Sequence, residues 1–253
     1  MRKQRIESET APPSTGFRSQ GLIAGGILFT GGQIGAEEPG PGMTREDLCE
    51  DMGEAVQITL KHLEQVTLAT ELTKADVFEV SAFPKESGKK DLILKETRAF
   101  LGFEPKLFNF HEVYDVAAHA LIEMDWMAAF QSEISLAQAA EVIRPLGNGP
   151  TGEMIESGPF LIWNGLCGFG ADLGEASEAF LTDISKRLEE AGGSIDDLVK
   201  LTVYLHAFDP YPLFNDTTKR WFADIIPPTR SVLVAPGVTG EAKICVDVLA
   251  LKA

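Results

Sequence analysis

The sequence is poor in the residues that build metal centres and disulfide frameworks. Among 253 residues there are three cysteines and four histidines. Cys49, Cys167 and Cys245 lie far apart without CxxC spacing, and no histidine stands at ligand spacing from them. We therefore predict neither a metal site nor a bound cofactor. An odd, sparse cysteine count without a secretory signal is typical of a reducing compartment.

Basic residues are also scarce. Lys and Arg number 22 against 38 Asp and Glu, which gives a net charge of −16. An acidic surface repels phosphate backbones and no local basic patch offsets it, so nucleic acid is not expected as a partner. No apolar run approaches the ~20 residues that cross a bilayer, and no apolar signal-peptide core follows the basic residues 1–5. These absences predict a cytoplasmic protein without a membrane partner.

A pattern of strands and helices is present twice. Each copy is predicted as strand, helix, strand, helix, strand, strand. In the first half these elements fall at residues 26–35, 44–68 (with Thr44 as N-cap), 77–83, 90–103, 110–116 and 120–130. In the second half they fall at residues 160–168, 175–190, 198–208, 211–225, 227–234 and 243–250. Residues 131–152 are punctuated by Ala, Gly and Pro and are predicted to link a domain at 1–130 to one at 153–253.

Two charges interrupt the last two predicted strands. Arg230 stands at the entry of one strand and Asp247 in the middle of the other. A carboxylate in an apolar strand costs several kcal/mol, by order of magnitude, unless it is paired or lies in a wet cleft. The pattern leaves two interpretations open, namely a structural Arg–Asp pair or a small anion-binding pocket.

The two halves differ at the corresponding place. Residues 122–125, Ile-Glu-Met-Asp, align with Ile-Cys-Val-Asp at 244–247, but residues 106–111 contain no arginine after a proline pair. Asp125 is therefore predicted to lack the partner that Asp247 has.

The second half resembles the Rid (YjgF-like, reactive intermediate deaminase) family in an ordered set of segments. These segments are Leu-Val-Lys-Leu-Thr-Val-Tyr-Leu at 198–205, Phe-Asn-Asp at 214–216, Trp-Phe at 221–222, Pro-Pro-Thr-Arg-Ser at 227–231 and the closing strand. The first half resembles a diverged copy, through Phe-Thr-Gly-Gly-Gln-Ile at 29–34 and Gly-Phe-Arg-Ser-Gln-Gly at 16–21.

The resemblance implies an α+β fold of two tandem chorismate-mutase-like domains, each a mixed sheet with two helices on one face. It also implies ligand clefts between neighbouring domains and a homo-oligomer, with a homotrimer of chains favoured. Members with the arginine hydrolyse enamines and imines such as 2-aminoacrylate to keto acids and ammonia. The implied partner is thus a small carboxylate-bearing imine or keto acid.

The family's site residues carry over one at a time. Its carboxylate-binding arginine falls on Arg230 and its water-positioning glutamate on Asp247, and we predict these two as catalytic. The substrate-binding set predicted with them is Arg230, Asn215, Arg18, Gly31 and Asn164. Arg18 replaces the family's cleft tyrosine, and Gly31 and Asn164 stand where the family has serine.

Other interpretations stay open for several of these residues. Asn215 is equally explained by a hydrogen bond within its helix, Arg18 by an ion pair at a surface or interface, and Cys245 by a packed thiol. A non-catalytic ligand-binding or assembly protein is the alternative function, because Asp247 is shorter than glutamate and the first half lacks the arginine. Ribonuclease activity, as reported for some relatives, is disfavoured by the acidic charge.

Overall fold

The computed structural model describes residues 3–13, 16–36, 47–235, 238 and 241–252. In the first half the strands are β1 (Gln4–Ile6), β2 (Gly21–Ala24), β3 (Ile27–Thr30), β4 (Gln33–Ile34), β5 (Val77–Pro84), β6 (Leu107–Phe110), β7 (Asp115–Val116) and β8 (Ile122–Ala129), and the helices are α1 (Met52–Thr67) and α2 (Lys90–Leu101). Helix α3 (Leu136–Ile143) follows. The second half contains β9 (Met154–Ser157), β10 (Phe160–Phe169), α4 (Leu173–Glu190), β11 (Leu198–Leu205), α5 (Tyr211–Trp221), β12 (Thr229–Val234) and β13 (Ala242–Leu251).

The two halves form two sheets with the same internal strand order. The first sheet runs β1-β2-β3-β8-β5-β6, with β4 also on β8, and the second runs β7-β12-β11-β13-β10-β9. Without the outer strands β1 and β7, β2-β3-β8-β5-β6 corresponds to β9-β10-β13-β11-β12. Even the pairing irregularity recurs, between Val77 and Glu79 in one sheet and between Leu198 and Lys200 in the other. The predicted α+β class is confirmed.

Each sheet buries one face under its own two helices. Residues of α1 and α2 pack with β5 and β8 in one apolar cluster, and residues of α4 and α5 pack with β10, β11 and β13 in another. A third cluster joins the opposite faces of the two sheets, with Phe29 and Phe78 from the first half, Phe160 and Leu249 from the second, and α3. The two halves therefore meet sheet against sheet.

The region predicted as a linker is partly helical. Ser135 caps α3 by accepting a hydrogen bond from the Gln138 backbone N–H, and the Gln138 side chain accepts one from the Ser135 backbone. The pattern of alanines that suggested a loop is here the small apolar face of a short helix. The predicted domain bounds remain a prediction.

Helix α1 begins later than the sequence suggested. Thr44, its predicted N-cap, lies outside the described residues. In the described part the helix starts at Met52, and the Asp51 side chain accepts a hydrogen bond from the Glu54 backbone N–H. None of the helices in the described residues is long and apolar enough to span a bilayer.

The expectation of reduced cysteines, drawn from their sparse and odd number, was wrong for two of the three residues. Cys167 and Cys245 are direct cross-strand partners in the antiparallel pair β10–β13 and form a disulfide. They are 78 residues apart in sequence, so only the strand register brings them together. Cys245 is therefore not the packed thiol that the sequence suggested.

Candidate functional site

Arg230 and Asp247 lie on opposite faces of the second sheet. Leu201 of β11 pairs with Arg230 on one side and Val248 on the other. Its neighbour Thr202 pairs with Ser231 and Asp247. Because paired residues on adjacent strands share a face and successive residues alternate, Arg230 points with Leu201 towards the helices. Asp247 points towards the first half.

The single Arg230–Asp247 site that we predicted is therefore not what the structure contains, and neither is the structural ion pair between them. β11 separates the two strands, and the two side chains line different cavities. The catalytic role of Asp247 stays a prediction, but it concerns a place apart from Arg230.

Arg230 is held by helix α5. Its Nη1 donates to Thr218 Oγ1 at 3.0 Å, and its Nη2 donates to the Tyr211 hydroxyl and to Asn215 Oδ1, both at 2.7 Å. The guanidinium also lies 5.1 Å from the ring centroid of Phe214. Only 2% of the residue is exposed, so these contacts fix its orientation.

Asn215 acts between the halves. Besides accepting from Arg230, its Oδ1 accepts the Phe17 backbone N–H at 3.1 Å. Its side chain thus joins the guanidinium to the N-terminal segment that carries Arg18, rather than bonding within its own helix.

A cavity of about 310 Å³ between the halves contains the guanidinium of Arg230 in its wall. The first half contributes Arg18, Gln33 and Glu123 to this wall, and the second half contributes Arg230 and Tyr211. We call this cavity the Arg230 cleft. Its charged lining residues in the described part of the chain are Arg18, Glu123 and Arg230.

Glu123 is the functional candidate that sequence reasoning missed. It is 3% exposed, and its Oε1 accepts the Val232 backbone N–H at 3.3 Å. Its Oε2 is buried, and the backbone N–H groups of Val232 and Ala117 both favour the charged carboxylate. Burial raises the pKa of Glu123 to about 7, against the opposing effect of Arg18. The signal was present in residues 122–125, but only Asp125 was compared between the halves.

Gly31 leaves space for Arg18, and Gly32 leaves space for Glu123. Arg18 Nη2 donates to the Gly32 carbonyl at 3.0 Å. A Cβ at Gly31 would collide with Arg18 Nη1, and a Cβ at Gly32 would collide with Glu123 Oε1. Gly31 therefore makes room for a guanidinium. The surface-pair interpretation of Arg18 does not fit, because the side chain lines the cleft.

Asn164 lies elsewhere. Its Oδ1 accepts the Gly147 backbone N–H at 2.7 Å, and its Nδ2 donates to the Pro145 carbonyl at 3.0 Å. These bonds fasten the chain that follows α3 to β10. Asn164 is not among the residues that line the Arg230 cleft.

Asp247 lines a second cavity, of about 20 Å³, between the two sheets. Its Oδ1 accepts the Gly165 N–H at 2.8 Å, and its Oδ2 accepts the Tyr204 hydroxyl at 3.0 Å. Burial raises the pKa of Asp247, while these two donors and His111 act in the opposite direction. The cavity has the volume of about one water molecule, too little for a small organic acid.

Asp125 has partners after all. Lys200 Nζ lies 2.9 Å from its Oδ1, and the Ser231 hydroxyl donates to its Oδ2 at 2.6 Å. Both partners belong to the second half and neither is an arginine, so Asp125 lacks the kind of partner that was predicted for Asp247 but is paired through Lys200. Glu79 lies nearby on the second cavity's wall, and burial raises its pKa to about 8.

The C-terminal half matches a known family. The model of the family described as Endoribonuclease L-PSP matches residues 154–252. A RutC family protein of Aquifex aeolicus (strain VF5) is 24% identical over 116 residues, which cover 43% of this chain and 93% of the relative. A RutC family protein of Pyrococcus abyssi (strain GE5 / Orsay) is 30% identical over 95 residues, covering 34% of this chain and 75% of the relative.

The chain belongs to the RutC/YjgF/Rid family. The predicted membership is thus confirmed, and the family model's match lies in the second half. Solved structures of similar proteins each cover about half of this chain. A putative endoribonuclease (TM0215) of Thermotoga maritima is 21% identical, covers 50% of this chain and 96% of its own, and has a TM-score of 0.45. E. coli TdcF with bound serine is 20% identical, covers 50% and 98%, and has a TM-score of 0.44.

Proposed function

We propose that this Rid-family chain hydrolyses small enamine or imine carboxylates to keto acids and ammonia in the Arg230 cleft. The observation that carries the proposal is the meeting of Arg230 with Glu123, which come from different halves, in one cavity. The guanidinium of Arg230 is suited to bind a carboxylate, and the carboxyl group of Glu123 is suited to transfer protons.

The guanidinium is suited to hold the substrate carboxylate. It has more N–H donors than its bonds to Thr218, Tyr211 and Asn215 use. Its Nε is buried without a partner among the described residues. A planar cation already fixed by three neighbours loses little conformational entropy when it binds an anion.

The reaction requires water and a group that moves protons. An enamine such as 2-aminoacrylate tautomerises to the imine, water adds to the imine carbon to give a carbinolamine, and cleavage of the carbon–nitrogen bond releases ammonia and the keto acid. Glu123 accepts a proton from the attacking water and returns it to the departing nitrogen. No electron acceptor is needed, because hydrolysis leaves the oxidation level unchanged.

The environment of Glu123 supports this role. A general base works best when its pKa lies near the operating pH, and burial raises the pKa of Glu123 to about 7. The carboxyl also lies in the wall of the cleft beside Arg18 and Arg230, so it is placed to exchange a proton with a ligand bound there.

Ammonia release from an enamine generated in situ tests the proposal. Wild-type protein is compared with Arg230→Ala and Arg230→Lys, with circular dichroism to confirm folding, because Arg230 also ties β12 to α5. We expect loss of the protein-dependent rate in Arg230→Ala and a partial rate in Arg230→Lys, which keeps the charge without the fork. Equal rates of ammonia release in all three folded proteins would refute the proposed hydrolase activity.

A non-catalytic ligand-binding protein is the second candidate. This candidate is favoured by the hydrogen bonds from Arg230 to three side chains, because an arginine that only holds a ligand or supports the fold would form the same bonds. Calorimetric binding of a keto acid to wild-type protein, without any acceleration of ammonia release, would support this candidate.

Assembly and location are separate proposals. A homotrimer of chains would use both halves in domain contacts, and sedimentation analysis of the 27.4 kDa chain tests it; a monomer contradicts it. Cytoplasmic location is tested by the disulfide, since such bonds are rare in cytosolic proteins. Thiol titration of protein prepared from a reducing cytoplasm shows whether Cys167 and Cys245 are reduced there.

A further inference from the structure

The Arg230 cleft contains a second guanidinium that hydrolysis of a simple imino acid does not require. Arg18 lines the same cavity as Arg230 and Glu123. Its Nη1 is buried and has no hydrogen-bond partner among the described residues. No carboxylate of the described residues lies within 4.0 Å of it as an ion pair. A substrate with one carboxylate is already served by Arg230.

We propose that Arg18 binds a second carboxylate, so that the cleft prefers imines of dicarboxylic 2-amino acids over imines of monocarboxylic ones. The preference rests on the proposed hydrolysis at Arg230. In this arrangement the carboxylate next to the imine carbon lies on Arg230, and the distal carboxylate lies on Arg18.

The charges of the cleft favour such a substrate. Arg18, Arg230 and an ionised Glu123 together carry one net positive charge. The iminium form of a monocarboxylate is neutral overall, so its binding leaves that buried charge uncompensated. The iminium form of a dicarboxylate carries one net negative charge and neutralises the cleft, which matters because an uncompensated buried charge is costly.

Neighbouring acidic residues do not supply this compensation. Asp125, which contacts Ser231 beside the cleft, is paired with Lys200. Glu7, on the other side of Arg18, is paired with Arg5. Both carboxylates therefore form ion pairs with other cations, and Arg18 forms none among the described residues.

The space is adequate for a longer acid. About 310 Å³ is at the lower end of the ~300–1,000 Å³ typical of small-molecule sites. Arg18 also lines an adjacent cavity of about 420 Å³, together with Gln20 and Ser8. Arg18 thus borders both cavities, and a ligand held by Arg230 in the first cavity can extend its distal carboxylate towards it.

The test compares two substrates that differ only at the far end. The imines of glutamate and norvaline have the same chain length, and both can be generated in situ by an amino-acid oxidase. We expect wild-type kcat/KM to be higher for the dicarboxylate. Arg18→Gln should lower the ratio of the two kcat/KM values by about 10- to 100-fold, the range for a hydrogen-bonded charge, and Arg18→Lys should restore part of it. Arg144→Gln, which removes an exposed arginine outside the cleft, controls for net charge.

A binding measurement separates this inference from the hydrolase itself. Calorimetry with 2-oxoglutarate and 2-oxopentanoate reports selectivity without turnover. Tighter binding of 2-oxoglutarate that disappears in Arg18→Gln, with no acceleration of ammonia release from the imines, would support the dicarboxylate site and refute hydrolysis. Turnover with equal or better use of the monocarboxylate would refute the dicarboxylate site alone. Loss of both substrates to the same extent in a folded Arg18→Gln would also overturn it.

Discussion

The first and second halves share a strand order, but equivalent positions carry different chemistry. On β12 the residue beside Leu201 is Arg230, and on β6 the residue beside Val80 is Phe108. On the closing strands Glu123 corresponds to Cys245, which is bonded to Cys167. The Arg230 cleft thus has a cation and an acid at these two positions, and the equivalent positions hold an aromatic ring and a disulfide-bonded cysteine. A repeated fold does not imply a repeated site.

The sheet faces that meet are also asymmetric. Glu79 of the first half corresponds to Lys200 of the second, since each follows the same pairing irregularity. Lys200 reaches across to Asp125, whereas Glu79 accepts hydrogen bonds from Ser81 and Asn109 of its own half. The two halves therefore contribute unlike groups to their shared contact, and the Lys200–Asp125 ion pair crosses it.

The largest expected effect distinguishes the two acids of the closing strands. Glu123→Gln should lower imine hydrolysis by about 10²- to 10⁴-fold, the usual contribution of general acid–base catalysis. Asp247→Asn should cost far less, because Asp247 lies in the second cavity. In wild-type protein the rate of imine hydrolysis should rise as the pH increases through about 7, because the Glu123 carboxylate forms there. Stopped assays at pH values from about 5 to about 9 measure this rise. A comparable loss in Asp247→Asn would return the catalytic role to Asp247.

The next effect concerns the ion pair between the halves. Lys200→Met leaves Asp125 buried with one partner fewer, which should lower the free energy of unfolding by about 3–5 kcal/mol. Lys252→Met removes an exposed pair with Glu156 and should change it by less than about 1 kcal/mol. Urea unfolding followed by tryptophan fluorescence measures both. Equal small effects would show that the Lys200 pair does not hold the halves together.

The disulfide should matter less than the ion pair. It closes a loop between residues 78 apart, and its removal in Cys167→Ser/Cys245→Ser should cost about 2–4 kcal/mol. Reduction of wild-type protein should reproduce this loss, and the double variant should be insensitive to the reductant. Identical unfolding curves for oxidised and reduced wild type would contradict the prediction.

The smallest expected effect is a dependence of the free energy of unfolding on pH, caused by Glu79. The pKa of Glu79 is about 8 in the folded state, chiefly through burial, against 4.5 as its ordinary value. The folded protein therefore holds an extra proton between these pH values. Stability from this group is complete below about pH 4.5 and is lost progressively as the pH rises to about 8.

Glu79→Gln tests this pH dependence, because an amide can stand in for the protonated carboxyl. We expect the variant to be more stable than wild type above neutral pH and similar to it near pH 4.5. Chemical unfolding at several pH values measures the difference. A variant that follows the wild-type pH dependence throughout would show that Glu79 does not retain its proton.

The sequence was sufficient for the element order but not for the site. Helical and strand periodicities located α2, α5 and β11 within a few residues, since each depends on local spacing. The face of each side chain in the sheet depends on register. We predicted Arg230 and Asp247 as neighbours because β12 and β13 follow each other in sequence, but β11 lies between them in the sheet.

Contacts between the two halves could not be predicted from the sequence either. Glu123 and Arg230 line the same cleft although they are far apart in sequence. The hydrogen bond from the Val232 backbone to Glu123, across a sequence separation of 109, joins the same two strands. Residue types indicated that Arg230 and Asn215 belong together, through the family resemblance. Only the packing of one sheet on the other showed which acid completes the cleft.

The short strand β7 has a consequence for any attempt to divide this molecule. It belongs to the first half in sequence, yet Val116 and Asp115 pair with Leu233 and Val234 at the border of the second sheet. A fragment beginning after residue 150 would leave β12 with a row of unsatisfied backbone groups, and such rows recruit other chains. Expressed alone, the C-terminal fragment should therefore self-associate through β12, which size-exclusion chromatography beside the full chain would show.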